Sequence, residues 1–419
     1  MIRLDKICIW TFIACFALMM WSGSLVKWID ELCCYVLLLT GILDCVINHR
    51  WRVYRPLWIL LVIMVVYVIY SLFKGFNTTP YILMDAIISL KPFVPFMVIL
   101  AIKPQLNITE RQIIKVLAVI NVLEALLLLF MPITREFKLN IHIMYTGTTC
   151  MVAAMTYFYC SIDKNGHVAR HHLAVVLAMI AIGLACTRAK YYAETVLALF
   201  FFLLYKPGMF KGVKPQYWVL SLVVIAAVIA VSWNKFSYYF ITGNSETFDP
   251  TVAESFARPV LYATGGLILI DHFPLGSGLA SFASYPSAAN YSSLYHEYGI
   301  SKIYGLSEAM PDFICDAFYP LLAQFGVVGI ILFAVYLVWA LKQVKALSGI
   351  DMGRYRALMA TALMVICFLL VEGVASTVPM QSWGMLAMML MGLIACEPNA
   401  ENIENNKKPL YNERKFTSA

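Results

Sequence analysis

Charge is what this sequence has little of: 13% of its 419 residues are Asp, Glu, Lys or Arg, whereas 61% are hydrophobic. That balance excludes a disordered chain and an ordinary water-soluble domain, in which about a quarter of residues are charged. Other absences narrow the class. There is no Walker sequence and no Gly-x-Gly-x-x-Gly after a strand pattern, so ATP-driven transport by this chain alone is not expected. No Cys-x-x-Cys pair offers a zinc site, and the adjacent His171 and His172 do not make one, so metal binding is not expected. No ten-residue alternation of apolar and polar residues points to a membrane barrel. No small-residue cleavage site follows the first apolar stretch, which therefore reads as a signal anchor.

What the sequence has instead is apolar runs near twenty residues, repeated from end to end. Inside hydrocarbon every backbone N–H and C=O needs a partner, so such runs are expected to be α-helices. The reading is an all-α, polytopic integral membrane protein with about twelve transmembrane helices. The spans fall near 7–23, 31–48, 56–73, 82–102, 114–131, 145–162, 172–187, 190–205, 216–233, 316–341, 357–376 and 380–396. The fourth is interrupted by Asp85 and Lys91 and followed by Pro92 and Pro95, which predicts an interfacial or broken helix. Residues 1–233 then form the first nine spans, 234–315 a large loop between the ninth and tenth, 316–396 the last three, and 397–419 a polar, disordered tail.

Positive residues in short loops are retained on the cytoplasmic side. With the N-terminus inside, the inner segments hold 21 of the 31 Lys and Arg residues, among them Arg50, Arg52, Arg55, Arg111, Arg354 and Arg356. Both termini are accordingly expected in the cytoplasm. The net charge of +7 reflects this topology, and nucleic-acid binding is not expected. Of the 11 cysteines, ten sit in or beside spans as small apolar residues, and Cys315 alone lies near the outer face.

The outer segment from about Asn234 to Cys315 is the strongest asymmetry, because the other outer loops are short. A loop of that length without its own structure is unusual, so a functional lid containing helices is expected. Its centre reads "ARPVLYATGGLILIDHFPLGSG". The apolar spacing predicts an amphipathic helix over Val252 to Ile270, which either kinks at Pro259 or restarts with it. Gly276 and Gly278 then provide a turn with positive φ or a close approach of a ligand to the backbone. The remainder is crowded with tyrosines, which suit sugar rings and membrane interfaces equally.

Arg258, the helix after it, "DHFPLGSGLASF", and "DAFYPLLAQFGVVGIILF" leading into a span together resemble the signature region of the O-antigen polymerase (Wzy) and O-antigen ligase superfamily. "ACTRAKYY", with Arg188 in an outer turn, adds to the likeness, which covers residues 170–345. The resemblance implies a metal-independent glycosyltransferase of the bacterial cytoplasmic membrane that needs no cofactor. A polymerase would move glycan from undecaprenyl pyrophosphate onto a carrier-linked repeat unit of O-antigen, capsule or exopolysaccharide. A ligase would move it to lipid A-core. A lipid-linked oligosaccharide flippase is the alternative of another class, though no inverted repeat supports it. The expected partners are the undecaprenyl-pyrophosphate-linked oligosaccharide, membrane lipids, a chain-length regulator and a flippase.

The leaving group in such a transfer is a pyrophosphate, and arginine suits bidentate phosphate contact. Arg188 and Arg258 are the expected catalytic cations, with Lys91 and Lys190 as further diphosphate ligands. Arg258 can instead pair with Glu254, and Lys190 with Glu194, each four residues away. Lys91 either lines the carrier-phosphate cavity or pairs with Asp85, and Arg188 can also snorkel to lipid phosphates. A general base is needed for the acceptor hydroxyl. The ligases' His-Asn-like motif is replaced here by "SEAMPDFICDAFYP", which leaves Asp312, Glu308 or the loop residue His296 for that role, whereas Asp312 or Asp316 can simply cap a helix. Tyr262, His272 and His296 are the expected glycan contacts. Glu31, Asp44, Asp85, Lys91, Glu124, Glu194 and Glu372 fall inside spans, where charge is costly unless paired or wet.

Overall fold

The computed structural model describes residues 3–19, 28–130, 144–209, 215–237 and 256–397. Among them it contains helices and loops with no strand, apart from one isolated antiparallel bridge between Ser307 and Met310. A helix lies on each expected segment: α1 (Leu4–Leu18), α2 (Ile29–Ile47), α3 (Arg55–Lys74), the pair α4 (Thr79–Leu90) and α5 (Val94–Ile102), α6 (Ile108–Phe130) and α7 (Met144–Cys160). They continue with α8 (Arg170–Gly183), α9 (Ala189–Leu199) and α10 (Pro215–Phe236). The segment expected as a lid holds α11 (Ala257–Asp271), α12 (Tyr285–Ala289) and α13 (Leu294–Glu297), and it is followed by α14 (Phe318–Leu321), α15 (Gly326–Lys345), α16 (Met352–Glu372) and α17 (Ser382–Ala395).

Among the described residues three helical stretches are long and apolar enough to cross a membrane by themselves: Arg55–Lys74, Phe318–Gly349 and Met352–Glu372. A fourth forms if α4 and α5, bent by 44°, are taken together. That bend is the break expected around Lys91. Pro92 lacks an N–H and Pro95 starts the next helix, so the ladder cannot run through. On α3 the outward row is bare hydrocarbon: Ile59, Val62 and Val65 are 50%, 63% and 57% exposed, which suits lipid and not water. By contrast, α17 is apolar all round and buried from Ser382 to Ile394, so it is the central post of the bundle.

The hydrogen bonds sort the helix ends into two groups. At one end Lys6 reaches Glu110 at 2.5 Å, and Arg50 donates to Asp44 (3.1 Å) and to the carbonyl of Ala101 (2.7 Å). Arg356 donates there to the carbonyl of Tyr205 at 2.6 Å. Arg111 and Arg354 both hold Glu397, which also accepts from Tyr159 at 2.7 Å. Glu397 was expected to begin a disordered tail; it is buried instead, because two guanidinium groups converge on it. The rest of that tail, 398–419, lies outside the described residues.

The lid lies at the opposite end. Of its expected first helix, Val252 and Glu254 lie outside the described residues, so the Glu254–Arg258 alternative lies there too. The helix begins at Ala257 with Phe256 as its N-cap and Pro259 third, not first, within the opening turn where a missing N–H leaves no intrahelical bond unmade. Gly276 and Gly278 take φ of +80° and +92°. What comes close to them is the chain itself: a Cβ on Gly276 would overlap the carbonyl of Ala323 and the N–H of Gly326, and one on Gly278 would meet Ser71. The lid is laced down around this turn. Tyr70 donates to Gly276 O (2.7 Å), Asn77 to Ala280 O (2.8 Å), and the backbone of Gly278 to Gln324 O (2.9 Å). Asp85, buried in α4, accepts from the N–H of Ala280 at 2.6 Å and from Gln324 at 2.9 Å. The intra-span carboxylate is thus a clasp for the lid.

Candidate functional site

Arg258 sits in the first turn of α11 and pairs with Asp316 in the segment before α14. One turn later Tyr262 donates to the carbonyl of Val374 at 2.9 Å. The segment around Asp316 is tied to the same place: Phe318 N–H donates to Gly373 O (2.9 Å), and Thr377 donates to Cys315 O (3.3 Å). Arg258 is therefore docked against the turn that follows α16.

Lys190 reaches the same turn. The carboxylate of Glu372, the last residue of α16, accepts from Lys190 at 2.5 Å and from Thr148 at 2.6 Å, and Ser376 closes onto both. Lys190 lies in the first turn of α9. Arg188 is that helix's N-cap, with extended backbone, preceded by Thr187 in the left-handed region (φ +52°). Tyr191 holds this hairpin closed, since its hydroxyl donates to Ile180 O at 2.9 Å and its ring fills the space beside Gly147 and Gly183. Tyr145 lies close enough to both Glu372 and Asp316 to feel their charges, and Gln381 donates to its hydroxyl at 3.4 Å. Its ring stacks on Trp383 with centroids 4.5 Å apart, and the Trp383 indole donates to Thr149.

The stretch 372–381 thus holds Lys190 directly through Glu372 and is tied to the Arg258–Asp316 pair through Tyr262, Phe318 and Thr377, while Arg188 precedes Lys190 by two residues in the chain. Of the four candidate cations, Lys190 and Arg258 are already ion-paired. Lys91 is also matched: it bonds Asp30 (2.8 Å) and Glu31 (2.7 Å) of α2 and not Asp85, so two carboxylates already balance its charge. Lys190 pairs with Glu372 across the bundle and not with Glu194 on its own helix, although Glu194 packs beside that pair with no exposed surface. Arg188 is half-buried, makes no ion pair with a described residue, and its buried Nε has no partner among them.

The remaining candidates lie elsewhere in the lid. Asp312 and Glu308 are exposed, with no side-chain partner among the described residues, and His296 is exposed with its ring against Tyr291. His272 lies 3.2 Å from the Lys74 ammonium and edge-on to Phe76. Burial and the Lys74 charge hold its imidazole below the usual range. Burial likewise pushes the Cys315 thiol up to about 12, which leaves it unreactive. Among the described residues no group of His, Cys, Asp or Glu could hold a metal ion.

Sequence reasoning missed Asp316 as the partner of Arg258 and Glu372 as that of Lys190. The overlooked signal was "EGVASTVPMQSW", a polar turn between the last two apolar runs. The sequence matches no protein-family model, and no curated protein matches it.

Proposed function

We propose that this chain is a membrane glycosyltransferase that polymerises polysaccharide, of the O-antigen polymerase kind, with its helices crossing the bacterial cytoplasmic membrane about twelve times and both termini inside. The observation that supports the reading is the turn after α16, where Glu372 holds Lys190 and Arg258 pairs nearby with Asp316, at the end of the bundle away from the basic cluster around Glu397. Arg188, the N-cap two residues before Lys190, is the second guanidinium we assign to the leaving group. The acceptor sugar hydroxyl attacks the anomeric carbon, a new C–O bond forms, and the anomeric bond to phosphate breaks. Its electron pair leaves with the polyprenyl pyrophosphate, whose growing charge fixed guanidinium donors stabilise. Asp316 is the carboxylate held at Arg258, and it is the group we assign to receive the hydroxyl proton.

The test is the length distribution of surface glycan in a strain carrying only a variant. Arg188→Ala and Arg258→Ala should each abolish long chains at unchanged protein abundance while single capped repeats persist. Polymer of normal length in either variant refutes the role of that arginine. Loss of all surface glycan with carrier-linked polymer accumulating would show a ligase. Carrier-linked single units trapped on the inner leaflet would show a flippase.

A further inference from the structure

A groove of about 540 Å³ runs along the outside of the bundle between α3 and α15, from Arg52 and Arg55 at the basic end to Met380 near the lid end. Its wall is almost wholly apolar, formed by side chains such as Ile59, Ile63, Phe333 and Trp339. Its size lies within the ~300–1,000 Å³ usual for ligand sites. A shallower depression shares Arg52 and Arg55 and adds Trp51 and Trp58, whose rings stack at 5.7 Å.

Cations at that end of the molecule differ in whether a carboxylate holds them. Lys6, Arg50, Arg111 and Arg354 are all ion-paired. Arg52 and Arg55 are exposed and make no ion pair with a described residue, and the Trp58 indole N–H has no partner among them either. Two free guanidinium groups and an interfacial tryptophan pair above an apolar trough describe one ligand chemistry: a compact anion carrying hydrocarbon tails.

We propose that this groove binds an anionic phospholipid, with its phosphate at Arg52 and Arg55 and an acyl chain along α3 and α15. The charge lies at the end opposite the lid, so the occupant is a resident lipid of the inner leaflet and not the glycan carrier. The proposal rests on the membrane reading and on the basic end facing inside; only the exclusion of the carrier draws on the glycosyl-transfer reading.

The experiment is native mass spectrometry of the full-length protein, purified in detergent from the membrane fraction. It is offered phosphatidylglycerol, phosphatidylethanolamine of the same chains, or undecaprenyl phosphate. Phosphatidylglycerol should be retained over phosphatidylethanolamine. Arg52→Ala with Arg55→Ala should lower its retention by about thirty-fold, from two surface cations at roughly fivefold each. Ile63→Trp, which fills the groove and leaves the arginines, should reduce both phospholipids. Equal retention of the two phospholipids, or a preference untouched by the double variant, overturns the proposal. One-for-one displacement of phosphatidylglycerol by undecaprenyl phosphate overturns it in favour of the carrier. A chain absent from the membrane fraction defeats the membrane reading itself, whatever the glycan ladder shows.

Discussion

Replacing Lys190 with methionine should destabilise the protein more than removing any exposed charge. The Lys190 side chain is 9% exposed and that of Glu372 is 1%, so neither group has water to fall back on. Without the ammonium, Glu372 keeps only the Thr148 and Ser376 hydroxyls, and Glu194 packs against the same place. Stranding one member of a buried ion pair costs about 3–5 kcal/mol, whereas losing an exposed pair costs about 0–1 kcal/mol. Adding Glu372→Gln to Lys190→Met removes the stranded charge, and at least about 2 kcal/mol of the loss should return. Unfolding by rising SDS in mixed micelles, followed by dye labelling of the buried thiols Cys150 and Cys186, reads both quantities. A single variant within about 1 kcal/mol of wild type, or a double variant no better than the single, would refute the placement of Lys190 against Glu372.

Two further outcomes follow from the lid. Gly276→Ala forces a side chain into left-handed backbone and into the Ala323 carbonyl, so it should cost about 2–4 kcal/mol and expose the 285–313 segment to protease, whereas Gly208→Ala, strained but in open space, should lose only the backbone part. His272 has its folded-state affinity for protons lowered from the ordinary value of 6.5 by burial and by Lys74, so its contribution to stability is fully present above pH 6.5 and is lost as pH falls below it. The protease resistance of the lid should decline over that interval, and His272→Gln should flatten the decline; an unchanged profile in the variant would remove His272 as its source.

How much was legible beforehand depended on range. The broken fourth span was readable because Pro92 and Pro95 act on their own neighbours, and the helix of the lid because Pro259 and the apolar spacing are local signals. The two arginines were readable as residue types suited to phosphate. Their partners were not, because Arg258 finds Asp316 58 positions away and Lys190 finds Glu372 182 positions away, whereas the sequence offers only neighbours at helical spacing. Lys91 illustrates the same limit: Asp85 is near in sequence, but the bend between α4 and α5 turns the lysine toward Asp30 and Glu31, and Asp85 is spent on the lid backbone.

The stretch after α16 is short, yet two mobile-sounding parts of the molecule hang from it: the lid through Tyr262, Phe318 and Thr377, and the α8–α9 hairpin through Lys190. A shared hinge pin of this sort leaves little room for independent motion. A shift of the segment around Asp316 therefore strains residues 373–377, the same turn whose Ser376 bonds Lys190, so neither part can move far without disturbing the contacts of the other.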